Sequence, residues 1–292
     1  MARRGKLWHI RAMTDAPDFD MDLARAEAIA RRLSTLTFAW DIEKALEFAL
    51  FRTYAVPAIS GLLARTGAFE TATRKRYDDT ELLLSEPMEH GLDSARGAEA
   101  IARINAIHGR FRIDNREMLY VLSTFVLEPI RWMEHYGWRP FTGEEKRAWV
   151  LVYRALGARM GIADIPEDLA GFEALNAAYE ATQFRQAESN ARIGKVTLDL
   201  LLGFYAPKVL FPVLRPVAYC LMDRPLLVAM GFPEPPRWLR WVVLGGMKAR
   251  AMVLRELPKR RRPRFITARK RPTYPGGYVI SQLGNGPVGA GR

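Results

Sequence analysis

The feature that most constrains this chain is the spacing of its apolar residues, which recur at three- and four-residue intervals and nowhere alternate in twos. That pattern predicts an all-α fold. Leu23 to Leu33 and Asp41 to Phe51 repeat Ala, Leu and Ile at helical spacing, and Pro57, Gly61 and Gly67 punctuate a short helix. A helix is expected over Glu70 to Leu84, with His90 beyond it in a Pro/Gly loop, and Ser94 is placed to cap another that runs to about Arg110. Asn115 is expected to cap Met118 to Met133, a segment apolar on nearly every side and therefore buried. Pro129 inside it removes one backbone bond and predicts a kink near Phe125. Thr142 and Glu145 form a capping box that opens a helix to about Met160, and Ile165-Pro166-Glu167 opens the next, toward Glu188. Shorter helices split by prolines follow Val196, then an amphipathic helix from Trp238 to Leu257. From Pro272 the chain is expected to run along the surface.

With 49% hydrophobic residues in 292, the chain has ample material for a core, and its one cysteine, Cys220, allows no internal disulfide. The basic opening from Met1 to Met13 lacks the apolar run of a signal peptide, so secretion is not expected. Val196 to Met222 is apolar, but Asp199, Lys208, Arg215 and three prolines interrupt it as a membrane span. A cytoplasmic chain is the expectation. Its net charge of +12 is concentrated: Arg250 to Arg271 holds ten Lys or Arg against the single Glu256. Such a segment suits phosphates of nucleic acid, anionic lipid headgroups, or plain solvation. Pro258 and Pro263 break any long recognition helix there, which makes nucleic acid the unfavoured partner. Trp238, Leu239, Trp241, Val242 and Val243 beside Arg237 and Arg240 suit either a helix lying at an anionic membrane surface or burial in the domain's own core.

Familiar catalytic motifs are missing. Gly284 to Gly289 spells G-x-G-x-x-G, but no strand leads in and too little chain follows to form a helix. There is no G-x-S-x-G, P-loop or H-E-x-x-H, and none of the Glu-x-x-His pairs of di-iron bundles. Of the four histidines, His9, His90, His108 and His135, only His108 lies on an apolar helical stripe, with Ile101 and Ile104. A histidine in that position is either a core residue bonded to a carbonyl or carboxylate, or a haem ligand. Arg76 and Thr80, four residues apart, share one helix face and can donate into one pocket; alternatively Arg76 pairs with Asp79 and Thr80 bonds back to its own helix.

The runs Lys75-Arg76-Tyr77-Asp78-Asp79-Thr80, Arg103-Ile104-Asn105-Ala106-Ile107-His108, Asn115 through Leu119-Tyr120, Glu128-Pro129-Ile130-Arg131-Trp132 and Tyr136-Gly137-Trp138-Arg139 resemble the MpaB-type oxygenase family, to which the bacterial latex-clearing proteins are more distantly related. Asp164-Ile165-Pro166 and Thr273-Tyr274-Pro275-Gly276-Gly277-Tyr278 extend the likeness, which covers about residues 40 to 285. The resemblance implies a globin-like helical core enclosing haem b, with His108 as proximal iron ligand and Arg76 and Thr80 as the distal R-x-x-x-T pair. It implies dioxygen as co-substrate, an apolar isoprenoid or lipid-like substrate, and oxidative cleavage of carbon–carbon double bonds. Two departures bear on that chemistry. Ala55 to Gly61 contains no carboxylate where latex-clearing proteins are thought to place a base, and Asp79 stands where they have lysine. The domain organisation read this way is an N-terminal extension and helix over 1–35, one helical oxygenase domain over 36–257, and a basic, Pro/Gly-rich tail over 258–292. The reading from a different class is a non-catalytic helical haem- or lipid-binding protein at a membrane surface. Glu128 is expected to pair with Arg103 or Arg131, or to bond the proximal imidazole.

Overall fold

The computed structural model describes residues 21–284. The basic N-terminus with His9 and all but the first residue of the G-x-G-x-x-G run lie outside them. Among the described residues there is no strand; a lone bridge joins Arg271 and Tyr274. The fold is all-α.

Helices α1 (Leu23–Arg32), α2 (Ala39–Tyr54), α7 (Asn115–Tyr136) and α8 (Gly143–Arg159) surround the main core, with α9 (Leu169–Gln183) laid on α7. Trp149, Phe38 and Leu127 are fully buried there. The short α3 (Pro57–Arg65) and α4 (Ala68–Thr71) lead into α5 (Thr73–His90), which packs along α6 (Ala95–His108). Helix α10 (Glu188–Leu202) covers α3, and α11 (Phe211–Tyr219), α12 (Arg224–Met230) and α13 (Arg237–Glu256) complete the chain of helices.

Several helix boundaries have a clear local cause. Ser94 caps α6 by accepting the Gly97 amide at 3.0 Å, and the Thr142/Glu145 box opens α8. Asp114, not Asn115, caps α7; Asn115 is its first residue and exchanges two hydrogen bonds with the Ala163 backbone. Helix α5 continues through Pro87 to end at His90, longer than its sequence suggests, because buried carboxylates on its last turns are held by other segments. At Pro129 helix α7 remains continuous. The carbonyl of Phe125, which a proline four residues on cannot satisfy, accepts the Trp149 indole N–H at 3.3 Å.

Two polar clusters brace the helices. Arg52 on α2 donates to Glu180 of α9 at 2.7 Å and to Asp223 at 2.7 Å, and lies 3.6 Å from Glu128 of α7. Arg131 completes this cluster by pairing with Glu128 at 2.8 Å, one of the two partners anticipated for that carboxylate. The second cluster belongs to α5, whose Asp78, Asp79, Glu86 and Glu89 are all buried. Isolated buried carboxylates are costly. The chain beyond residue 263 supplies their donors: Arg271 bonds Asp78 at 2.6 Å and Glu81 at 2.5 Å, Thr273 bonds Asp78, Tyr274 bonds Asp79, Tyr278 bonds Glu86, and the amides of Ile266 and Thr267 bond Glu89.

The segment expected to lie on the surface is therefore partly core. Ile280 and Leu283 are buried against Leu82, Leu83 and Ile104. The basic segment is likewise partly consumed, since Arg250 pairs with Asp41, Arg269 with Glu43, and Arg271 with α5. Replacing Arg271 with Met should leave Asp78 and Glu81 short of a buried partner. A loss of about 3–5 kcal/mol in urea unfolding is expected, with earlier proteolysis between 264 and 284; unchanged stability would show that the segment is merely laid on the surface.

Candidate functional site

A cavity of about 420 Å³ lies between α5, α6, α7 and α10, lined mostly by apolar side chains such as Leu62, Phe69, Ile107 and Val121. Its few polar groups include Arg76, Thr80, His108 and Tyr54. The three residues singled out from sequence thus share one apolar space.

Arg76 and Thr80 are one turn apart on α5, on the side roughly opposite Asp78 and Glu89. The Thr80 hydroxyl donates back to the Arg76 carbonyl at 2.8 Å and accepts from the Arg76 guanidinium. The back-bonding is the ordinary behaviour of a helical threonine. Arg76 itself departs from the ordinary, because it does not pair with Asp79. That carboxylate is taken by Lys75 at 2.7 Å, the Tyr274 hydroxyl and the Gly284 amide at 2.9 Å. The Arg76 guanidinium sits instead 5.4 Å over the Phe69 ring. Burial works against its charge and lowers its pKa, with Tyr54 and Asp79 offsetting only part of the effect. Arg76 is a cation without an ion-pair partner among the described residues, held at the wall of an apolar cavity.

His108 is the last residue of α6. Ile101 and Ile104 on its stripe are buried, and the histidine is half-buried with Nδ1 fully enclosed and without a hydrogen-bond partner among the described residues. Burial first, and the nearby Arg76 charge second, push its pKa down. The imidazole is accordingly neutral, with a lone pair available. Behind it, Gly284 closes the wall. Its φ of 71° suits glycine, and a side chain there would meet Ile107 Cδ1 at 2.3 Å. Arg103 fastens the same stretch by donating to the Leu283 carbonyl at 2.6 Å.

Two further residues with chemical potential, Tyr54 and Glu117, were not read from the sequence. Tyr54, from the end of α2, reaches the cavity with a phenol kept neutral by burial, its pKa pushed up to about 12. Asp79 and Glu117 are carboxylates on the cavity wall, and the Glu117 pKa is raised by burial and by Asp114. In α3, where a base is absent from the sequence, Ser60 is buried and bonded to Ser189 and Asn190. Glu128 is engaged with Arg131 and Arg52 and is not part of the cavity wall. Trp132 is core, its indole bonded to Asp41. Tyr54 and Glu117 carry no local signal, since their place at the cavity depends on which helices meet.

A second, smaller cavity of about 70 Å³ adjoins the first and shares Thr80, Tyr77, Leu50 and Tyr153 with it. Its floor holds Glu47, which accepts from Lys44 at 2.6 Å and from the Tyr77 hydroxyl at 2.9 Å. Lys44 also lies 3.3 Å from Glu43, which Arg269 pairs with as well. Burial pushes the Glu47 carboxyl up to about 7 from its usual 4.5. Between those values the folded chain keeps a proton that the unfolded chain releases, so stability falls as pH rises through that window. Glu47→Gln should lack this dependence. The stability margin of the native chain over that variant is expected to shrink when unfolding is measured above the window rather than below it; a constant margin would mean an ordinary carboxylate.

The sequence matches the family described as ER-bound oxygenase mpaB/B′/Rubber oxygenase, catalytic domain, over residues 53–255. It is 29% identical over 238 residues to the ER-bound oxygenase mpaB′ of Penicillium brevicompactum, which covers 75% of this chain and 56% of that protein. To the ER-bound oxygenase mpaB of Penicillium roqueforti (strain FM164) it is 30% identical over 224 residues, 70% of this chain and 75% of that protein. The chain spans little more than half the length of the P. brevicompactum relative. The matched stretch carries α5, α6 and α7 with Arg76, Thr80 and His108, and on that match the chain belongs to the mpaB/B′ and rubber oxygenase catalytic-domain family.

Proposed function

We propose that this protein is a haem b-dependent oxygenase that uses dioxygen on an apolar, isoprenoid or lipid-like substrate. The observation that carries this reading is the convergence on one apolar cavity of a neutral imidazole whose Nδ1 has no partner, an arginine without a carboxylate, and a hydroxyl. No cluster of three or more His, Cys, Asp or Glu among the described residues suits a bare metal ion. A haem needs a single axial side chain, and His108 would be that ligand, through one ring nitrogen. Bound there, haem would supply dioxygen activation and, for a substrate with a double bond, oxidative cleavage to carbonyl products. A cavity of about 420 Å³ falls within the range of cofactor pockets.

The protein's own groups have definable tasks. Arg76 and Thr80 would present donors to negative charge developing on oxygen in the cavity, and the apolar surroundings make such donors stronger than in water. Because no carboxylate quenches Arg76, its charge is available. The apolar lining would hold the hydrocarbon part of a substrate and exclude water from the reacting region. The relatives' names, ER-bound oxygenases, suit a membrane setting in which the substrate arrives from lipid. No single helix among the described residues is long and apolar enough to cross a membrane; the contact proposed is peripheral and with anionic lipid, on the exposed tryptophans and basic residues of α13.

The purified protein is expected to show a Soret band and to yield haem b as its pyridine haemochrome, and His108→Ala should lose the haem or shift the spectrum. Unchanged haem content and spectrum in that variant would refute the ligand assignment. Arg76→Ala and Thr80→Ala should keep the haem while oxygen uptake and carbonyl formation from a polyprenyl compound fall by about 100-fold or more. Full activity in both would remove them from the reaction. Bound haem with no turnover of any polyprenyl compound would favour the non-catalytic binding protein instead.

A further inference from the structure

Helix α13 is apolar on two sides: Leu239, Val243, Met247 and Leu254 are half-buried against the domain, and a second apolar face points outward. Two arginines fasten the inward side: Arg250 bonds Asp41 at 2.8 Å and lies 4.0 Å over the Trp40 ring, and Arg240 donates to the Met222 carbonyl at 3.2 Å. Its outward side is a continuous apolar stripe at helical spacing, formed by Trp238, Trp241, Val242, Gly245, Ala249, Met252 and Val253, all exposed. Trp241 is 79% exposed and Trp238 68%. The possibility that these tryptophans fill the domain's own core is thereby overturned. The neighbouring α11 adds Val213, 70% exposed, and just before it Val209 is 80% exposed. An exposed apolar stripe of this length marks a surface that meets something apolar.

The charges beside the stripe say what that is. Arg237, Lys248 and Arg255 fall along one edge of it, separated by eleven and seven residues, and Arg260, Arg261 and Arg262 are exposed just past the helix end. A second copy of the chain packed antiparallel on this face, across a two-fold axis perpendicular to the helix, would bring basic edge toward basic edge. An anionic bilayer answers both features at once: tryptophans and aliphatic groups enter the headgroup and acyl boundary while the basic edge meets phosphate and carboxylate groups. Resting on the membrane setting of the function proposed above, we propose that the outward stripe of α13, with Val209 and Val213, is the surface that inserts into the interfacial layer of an anionic membrane.

The test uses the full chain and vesicles of equal parts phosphatidylserine and phosphatidylcholine. Co-sedimentation is expected at low salt and should weaken at high salt, with a blue shift of tryptophan emission on binding. Trp238→Ser with Trp241→Ser should weaken vesicle affinity by at least about tenfold while circular dichroism and thermal unfolding stay unchanged, since both side chains lie outside the core. Lys248→Glu with Arg255→Glu should weaken binding and flatten its salt dependence. If the tryptophan variant binds as well as the native chain, this surface is wrong although the membrane setting survives. No binding of the native chain at low salt sinks both. A dimer in solution that the tryptophan variant converts to monomer, without vesicle binding, would assign the stripe to a second copy. Haem content, read from the Soret band of the same samples, reports separately on the oxygenase reading.

Discussion

The burial of four carboxylates on α5 is the constraint on which the site depends. Asp78, Asp79, Glu86 and Glu89 lie inside the protein, and each would be expensive there without donors. Lys75, Arg74 and Arg96 supply some of the compensation locally, at 2.7 Å, 2.9 Å and 2.8 Å. The rest comes from Arg271, Thr273, Tyr274, Tyr278 and backbone amides far along the chain. This arrangement divides α5 by function. One side is pinned by polar contacts of fixed direction, and the other holds Arg76 and Thr80 steady against the cavity. Asp79 lies between the two and is engaged by its neighbours, which leaves Arg76 with no carboxylate of its own.

Arg76 shows how far sequence spacing can reach. Four-residue separation on a helix is enough to put Arg76 and Thr80 on one face, and the stripe of Ile101, Ile104 and His108 is enough to turn that histidine inward. Whether Arg76 pairs with Asp79 is not decided by spacing. It is decided by Lys75, Tyr274 and Gly284 competing for the same carboxylate, and two of those three come from the other end of the chain. The same limit explains Tyr54 and Glu47, each an unremarkable residue of α2 whose environment is made by other helices.

Helix positions were legible wherever a cap or a proline marks them, as at Ser94, Thr142 and Pro57. Capping by Asp114 was misread because Asp and Asn are equally good caps and stand side by side. The fate of the residues beyond Pro272 was misread for a more general reason. Glycine, proline and few aliphatic residues read as surface chain, and only the unmet hydrogen-bonding demand of α5 turns that stretch into part of the interior. At Pro129 the removal of a backbone donor was foreseen, but the indole of Trp149 that replaces it was not.

The Gly284 contact has a consequence for the timing of folding. Its amide reaches Asp79 across 205 residues, and it forms part of the cavity wall beside Ile107. Contacts of such long range close late, because the loop between them must be ordered first. During synthesis from the N-terminus, α5 and α6 emerge long before residue 284, so this wall is missing and the apolar space stands open.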